Sequence, residues 1–197
     1  MKAVPANRYV AFGLIAVVGC AVDLATKSWL FAWLGMPGGK SYWLIDQVFG
    51  FTISLNEGAL FGMGQGQVNL FALLSVIAAA GIVYWLFWSG MAHDWCLTIA
   101  LGAVCAGICG NLYDRLGLHG LKWSLPDLRG HQIGEPVYAV RDWIHFKIDA
   151  LHFSWPIFNI ADSLLVCGAG LLIWHSLQSN ADAKQPVQPQ PTAANPS

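Results

Sequence analysis

A membrane all-α fold of four transmembrane helices, with a small extramembrane β element between helices 1 and 2, is predicted by three observations. First, 56% of the 197 residues are hydrophobic and only 11% charged, with a mean hydropathy of +0.52, too little polar surface for a soluble domain of this length. Second, four apolar runs, about 9–34, 68–88, 95–112 and 157–177, each approach the ~20 residues that cross a bilayer. Third, Phe51-Thr52-Ile53-Ser54-Leu55-Asn56 alternates with the period of two of a strand. A net charge of −1 supplies no basic field, so no nucleic acid partner is expected. Five cysteines, an odd number, all in apolar stretches, argue for small buried hydrophobes over a disulfide framework.

Helix 1 follows a short basic start, Met1 to Arg8. Val17-Val18-Gly19-Cys20 fits a lipoprotein cleavage box, yet the apolar pattern runs on through Trp29, Leu30, Phe31 and Trp33, where a lipoprotein precursor turns polar. The segment therefore reads as a retained span. Asp23 and Lys27, four apart on one helix face, form an anchoring ion pair from which the lysine is expected to snorkel. Pro37-Gly38-Gly39 breaks the helix, and the β element occupies about 40–66. Within it Asn56-Glu57-Gly58-Ala59-Leu60-Phe61-Gly62 offers an amide, a turn glycine and an apolar return, a place for Asn56 to meet substrate backbone.

Helix 2 ends in a tight hairpin, 89–94. Helix 3 is rich in small residues, Gly102, Ala103, Ala106, Gly107 and Gly110, that let neighbouring helices approach. It closes on Gly110-Asn111-Leu112-Tyr113-Asp114-Arg115, where Arg115 can fork onto a carboxylate or serve with Tyr113 as an interfacial anchor. A long polar connection leads to helix 4, and residues 180–197 form a Pro/Gln/Ala tail expected to be disordered. Residues 1–179 are thus one membrane-embedded domain. Four spans place both termini on one side. Lys2, Arg8 and Lys184 lie there, against Lys27, Lys40, Arg115, Lys122, Arg129, Arg141 and Lys147 opposite, so a plain count of positive charges would invert the protein. With the charges that belong to a folded site set aside, and a basic amino terminus ahead of helix 1, both ends are expected in the cytoplasm.

The stretch from Arg141 to Ser163 carries the chemistry. Asp142 follows a polar loop, and Asp162 sits about one turn inside an apolar run, where an unpaired ionised side chain is costly. Two carboxylates in a poorly solvated cleft can share one proton and activate a water. Asp142 and Asp162 read as such a pair, although spacing alone leaves Asp114, at the end of helix 3, as a rival partner for Asp162.

Other classes fit less well. A metal-dependent enzyme would recruit His131, His145 or His152, but the last two stand seven apart, outside known ligand spacings, so no metal and no cofactor is predicted. Cys105 and Cys109 share a helix face without further ligands nearby. A small proton- or ion-conducting multi-pass protein would use Asp23, Asp114 and Asp162 as a path, yet the charges gather toward one membrane face.

Five motifs in order, Asp23-x-x-x-Lys27, Asn56-x-Gly58-Ala59-x-Phe61, Gly110-Asn111-x-x-Asp114-Arg115, Val140-x-Asp142-x-Ile144-x-Phe146 and Phe158-Asn159-x-Ala161-Asp162-Ser163, resemble lipoprotein signal peptidase, also called signal peptidase II. The resemblance spans roughly Asp23 to Leu177. It implies an aspartic endopeptidase of the bacterial inner membrane, with its site near the outer face; because one chain supplies every proposed catalytic group, a monomer is expected. Its substrate would be a diacylglyceryl-modified prolipoprotein, cut on the amino side of the lipidated cysteine, with membrane lipid as the other partner. It implies Asp142 and Asp162 as the catalytic pair and makes Asp114 structural. Asn56 and Arg115 are then expected to position peptide backbone. Asn111 and Asn159 fix helix ends, and Asp23, Lys27, Gly110 and Ala161 brace the site. Two features depart from the family: a longer connection at about 118–138, either a lid with Trp123 as interfacial anchor or an elaboration without function, and Arg141 where the family usually has an apolar residue.

Overall fold

The computed structural model describes residues 3–38, 40–58, 63–124 and 130–183, with side chains to residue 179. Among the described residues, four helices are long and apolar enough to cross a membrane: Ala6–Leu34, Val68–Trp88, Trp95–Arg115 and Ile160–Ser179. Helix α1 (Ala6–Leu34) starts after Pro5, whose fixed φ suits a helix entrance. Helix α2 (Val68–Val83) continues as a π-helical turn, Tyr84–Trp88. Helix α3 (Trp95–Arg115) is capped by Asp94, whose side chain accepts from the Leu97 N–H at 3.0 Å. Helix α4 spans Ile160–Ala183, running past the expected start of the tail at residue 180; the rest of that tail lies outside the described residues.

Helix α3 is the central post, packed by α1, α4 and α2. Of its apolar window 61% is buried, against 6% for α2. Small residues explain the close approach: a Cβ on Gly102 would stand 3.2 Å from Ile15 Cγ2, one on Gly19 2.8 Å from Ala106 Cβ, and one on Gly107 would collide with the Ala161 carbonyl. Arg8 lies over the Trp95 ring at 3.5 Å, so the amino terminus and the α2–α3 hairpin share one end of the bundle.

At the other end sits an antiparallel sheet of order β1-β2-β3-β4. Strands β1 (Tyr42–Ile45) and β2 (Phe49–Asn56) form between α1 and α2, and β3 (Val140–Ile148) and β4 (Phe153–Ser154), from the α3–α4 connection, complete it. Register pairs Ser54 with Asp142 and Asn56 with Val140, past an irregularity between Phe51 and Ser54. The sheet rests on the end of α1 through a core of Leu30, Phe31, Leu34, Ile53, Leu55, Trp143 and Ile144. Trp123, Val137 and Ala139 of the long connection belong to the same core. Trp123 is therefore not an interfacial anchor: its indole is 8% exposed, because the connection folds inward against α1 and the sheet.

Candidate active site

Asp142 is the third residue of β3, and Asp162 stands in the first turn of α4. The chain between them folds back so that Phe158 pairs with Ile144: the Ile144 N–H donates to the Phe158 carbonyl at 2.8 Å, and the Phe158 N–H returns to Ile144 at 3.1 Å. That bridge brings the head of α4 to the strand. Asn159 and Asp162 cap the helix reciprocally, the Asp162 N–H donating to Asn159 Oδ1 at 2.9 Å and the Asn159 N–H to Asp162 Oδ2 at 3.2 Å. An Asn-x-x-Asp box ahead of an apolar run is legible in sequence and would have placed the helix start at Ile160 rather than about 157.

Two amides join the carboxylates. Asn159 Nδ2 donates to Asp142 Oδ1 at 2.6 Å and to Asn111 Oδ1 at 3.2 Å, while Asn111 Nδ2 donates to Asp162 Oδ1 at 2.8 Å. Asn56 adds a side-chain hydrogen bond to Asp142. Asp142 is 2% exposed and Asp162 half-buried. Burial first, and then the neighbouring Asp162 charge, hold the Asp142 carboxyl well above the ordinary aspartate range, against the opposing pull of Lys27 and of the Asn159 and Asn56 hydrogen bonds.

Behind the pair lies a buried charge network. Lys27 Nζ meets Asp23 Oδ2 at 2.7 Å, Asp114 Oδ2 at 3.2 Å and Asn111 Oδ1 at 2.9 Å. Lys27 does not snorkel: it is 0% exposed, because three oxygens inside the bundle satisfy the ammonium better than a reach to the interface. Asp23 Oδ1 accepts the Ala161 N–H at 2.8 Å, and Gly110 lies so close to the Asp23 carboxylate that a Cβ there would collide with it. Asp114 is taken up by Arg141, whose Nη2 and Nε reach Oδ1 at 2.8 and 3.0 Å while its backbone N–H reaches Oδ2 at 3.0 Å. Arg141 Nη1 also donates to Ser28 Oγ at 3.2 Å. Arg141 departs from the family pattern in sequence, and its partner is not legible there because the contact spans 27 residues.

Arg115 turns to backbone: its Nη2 donates to the Gly58 carbonyl at 3.0 Å and the guanidinium lies over Phe71 at 5.6 Å, rather than forking onto a carboxylate. Asn56 Oδ1 accepts the Gly58 N–H at 2.9 Å, closing a turn. Ala59 and Phe61 of that motif lie outside the described residues. His145 bridges strands, with Nδ1 3.2 Å from Thr52 Oγ1 and Nε2 3.0 Å from Ser154 Oγ, and burial pulls its pKa below the ordinary histidine value.

Asn56, Asn111, Arg115, Asp142 and Asp162 line one cavity of about 350 Å³. Its walls descend the bundle along Ser75 of α2, Ile108 of α3 and Leu165, Val166 and Ala169 of α4, an apolar groove that the motifs did not reveal. Fold and cavity together define the class: a four-span membrane protein with a carboxylate-lined, enzyme-type pocket at one end of its bundle.

Comparison with known proteins narrows the class. The profile of the family described as "Signal peptidase (SPase) II" matches residues 15–178. A lipoprotein signal peptidase of Rhodopirellula baltica is 47% identical over 175 residues, 88% of this chain and 74% of that protein. Its counterpart in Bacillus subtilis is 34% identical over 178 residues, 87% of this chain and 96% of that one. A solved structure described as a bacterial membrane enzyme superposes with a TM-score of 0.68 at 25% identity, covering 90% of this chain and 94% of its own. The chain belongs to the signal peptidase II family, membrane peptidases of bacteria that process prolipoproteins.

Proposed function

We propose that this chain is an aspartic endopeptidase of the bacterial inner membrane that cuts diacylglyceryl-modified prolipoproteins on the amino side of the lipidated cysteine. The observation that carries the reading is the pairing of Asp142 and Asp162 through Asn111 and Asn159, in one cavity that continues into an apolar groove along the bundle. The groove suits acyl chains that cannot leave the bilayer, and the polar end suits a peptide carbonyl.

Burial and the Asp162 charge favour the proton on Asp142. Asp162, ionised, takes a proton from water as its oxygen attacks the scissile carbonyl, and Asp142 gives its proton to the carbonyl oxygen. On collapse Asp142 recovers that proton from the tetrahedral hydroxyl while Asp162 protonates the departing nitrogen, which restores the starting state. Asn56 and Arg115 hold peptide backbone at the rim; Lys27, Asp23, Gly110, Ala161 and Asp114 brace the pair from behind. One chain supplies every group, so the enzyme acts as a monomer. Both termini lie in the cytoplasm, with the site near the outer face, in keeping with its position at the end of the bundle opposite Arg8.

The test is cleavage of a diacylglyceryl-modified prolipoprotein in liposomes by wild type and by Asp142→Asn, Asp162→Asn and Asp114→Asn, each checked for equal folding. Turnover is expected to vanish in the first two and to persist in the third. Normal cutting by Asp142→Asn would overturn the pair.

A further inference from the structure

The described flanks of the long connection between α3 and β3 pair with each other as the base of a hairpin. Val137 N–H donates to the Leu121 carbonyl at 3.0 Å, Trp123 N–H to Glu135 at 2.9 Å and Gly134 N–H to Trp123 at 2.8 Å. The Trp123 indole is sunk into the core with Leu30, Leu34 and Ile53, and the His131 ring lies flat on it, centroids 4.5 Å apart and planes within 7°. This stack aims His131 Nε2 at Glu57 Oε1, 2.5 Å away, while Nδ1 faces Glu135 Oε2 at 3.9 Å. Glu57 is only 5% exposed, so its carboxylate depends on close partners.

Glu57 is the middle residue of Asn56-Glu57-Gly58. On one side of it Asn56, the last β2 residue paired with β3, hydrogen-bonds Asp142. On the other side the Gly58 carbonyl receives Arg115. Two pocket residues from different elements are thus set by one three-residue turn that starts at the last pair of the sheet ladder, and the hairpin base grips that turn at its centre. We propose that His131, seated on Trp123, is a positioning residue for hydrolysis: through Glu57 it fixes the Asn56–Gly58 turn, and so holds Asn56 against Asp142 and Arg115 at the rim of the pocket. The described flanks of the connection act as a buttress under the site. This inference rests on Asp142 and Asp162 being the reacting pair.

Among the described residues, the charged groups within reach of His131 include Glu57 from the turn and Glu135 from its own hairpin. Those acting on Asp142 are Asp162 from α4, Lys27 from α1 and Arg115 from α3. Because the Asn56 hydrogen bond favours the ionised form of Asp142, a loosened turn displaces the basic limb of the pH profile, where Asp142 gives up its proton, to higher pH.

The experiment is the pH dependence of kcat/KM for prolipoprotein cleavage in liposomes by full-length wild type, His131→Ala, His131→Gln and Asp142→Asn. His131→Ala is expected to lower kcat/KM about tenfold and to move the basic limb upward, and His131→Gln, which keeps a donor toward Glu57, to recover most of both. Loss of folded protein alone would scale the profile without moving its limb, and that result, or wild-type behaviour, overturns the proposal. Should His131→Ala fail to fold, Glu57→Gln, which keeps the shape and removes the charge, carries the same expectation and the same refutation. Turnover by Asp142→Asn would instead sink the functional reading; an inactive Asp142→Asn beside an unaltered His131→Ala sinks only the buttress.

Discussion

Replacing Lys27 by methionine keeps the volume of the side chain and removes its charge from between three oxygens. Asp114 retains Arg141 at 2.8 Å, but Asp23 loses its 2.7 Å partner and stays fully buried, with the Ala161 N–H still bound to its other oxygen. One buried carboxylate is left uncompensated, which costs about 3–5 kcal/mol, a large share of a total stability of about 5–15 kcal/mol. For a chain of this size that lowers the unfolding midpoint by roughly 10 °C. The double variant Lys27→Met with Asp23→Asn removes both charges and keeps an acceptor for Ala161, so it should recover about half of the loss. Thermal unfolding in detergent, followed by the fluorescence of the ten tryptophans, reads both effects. A single variant unfolding within about 2 °C of wild type, or a double variant less stable than the single, would refute the charge-balance argument.

The raised Asp142 carboxyl makes a signed statement about pH. The folded state keeps a proton that the unfolded chain releases near pH ~3.9, so this group's contribution falls as pH rises from there through its folded value. Asp142→Asn escapes that loss and should gain stability relative to wild type as pH rises above ~4, read as a widening midpoint difference; a constant difference would contradict it. Gly110→Ala drives a methyl into the Asp23 carboxylate and to 3.3 Å from Ala161 Cβ, so it should cost about 1–3 kcal/mol and cut turnover, measured on purified protein. Trp123→Ala empties a buried site beside Leu30 and Ile53 and should cost about 3–5 kcal/mol. A surface role for Trp123 would instead leave the midpoint unmoved.

The spans were legible because hydropathy needs no partner: a run of apolar residues crosses a bilayer whatever lies beside it. Ends were less so. Helix α3 was expected to stop at about residue 112, where polar residues begin, yet it runs to Arg115. Lys27 and Arg141 meet Asp114 inside the protein, and neither contact is local in sequence. Period two in residues 51–56 announced β2, but its register against β3 depends on residues some 90 positions away and on an irregularity that no local pattern marks. His131 stands in a polar connection where no local pattern marks it, since its meaning comes from Trp123 beneath it and Glu57 across from it.

The four charges of the network behind the pair, Asp23, Lys27, Asp114 and Arg141, also bear on how the chain is made. Helix α1 carries Asp23 and Lys27 one turn apart and in contact, so it enters the bilayer with its own counter-ion. Helix α3 has no such luxury: the cations that meet Asp114 come from α1 and from β3, which is synthesised last of the three. The amino-terminal helix is thus the dock at which α3 moors first, and Arg141 closes the neutral quartet only when the strand bearing Asp142 arrives. Completion of the charge balance and delivery of that aspartate are one event in biogenesis, so a half-assembled chain does not hold the paired carboxylates.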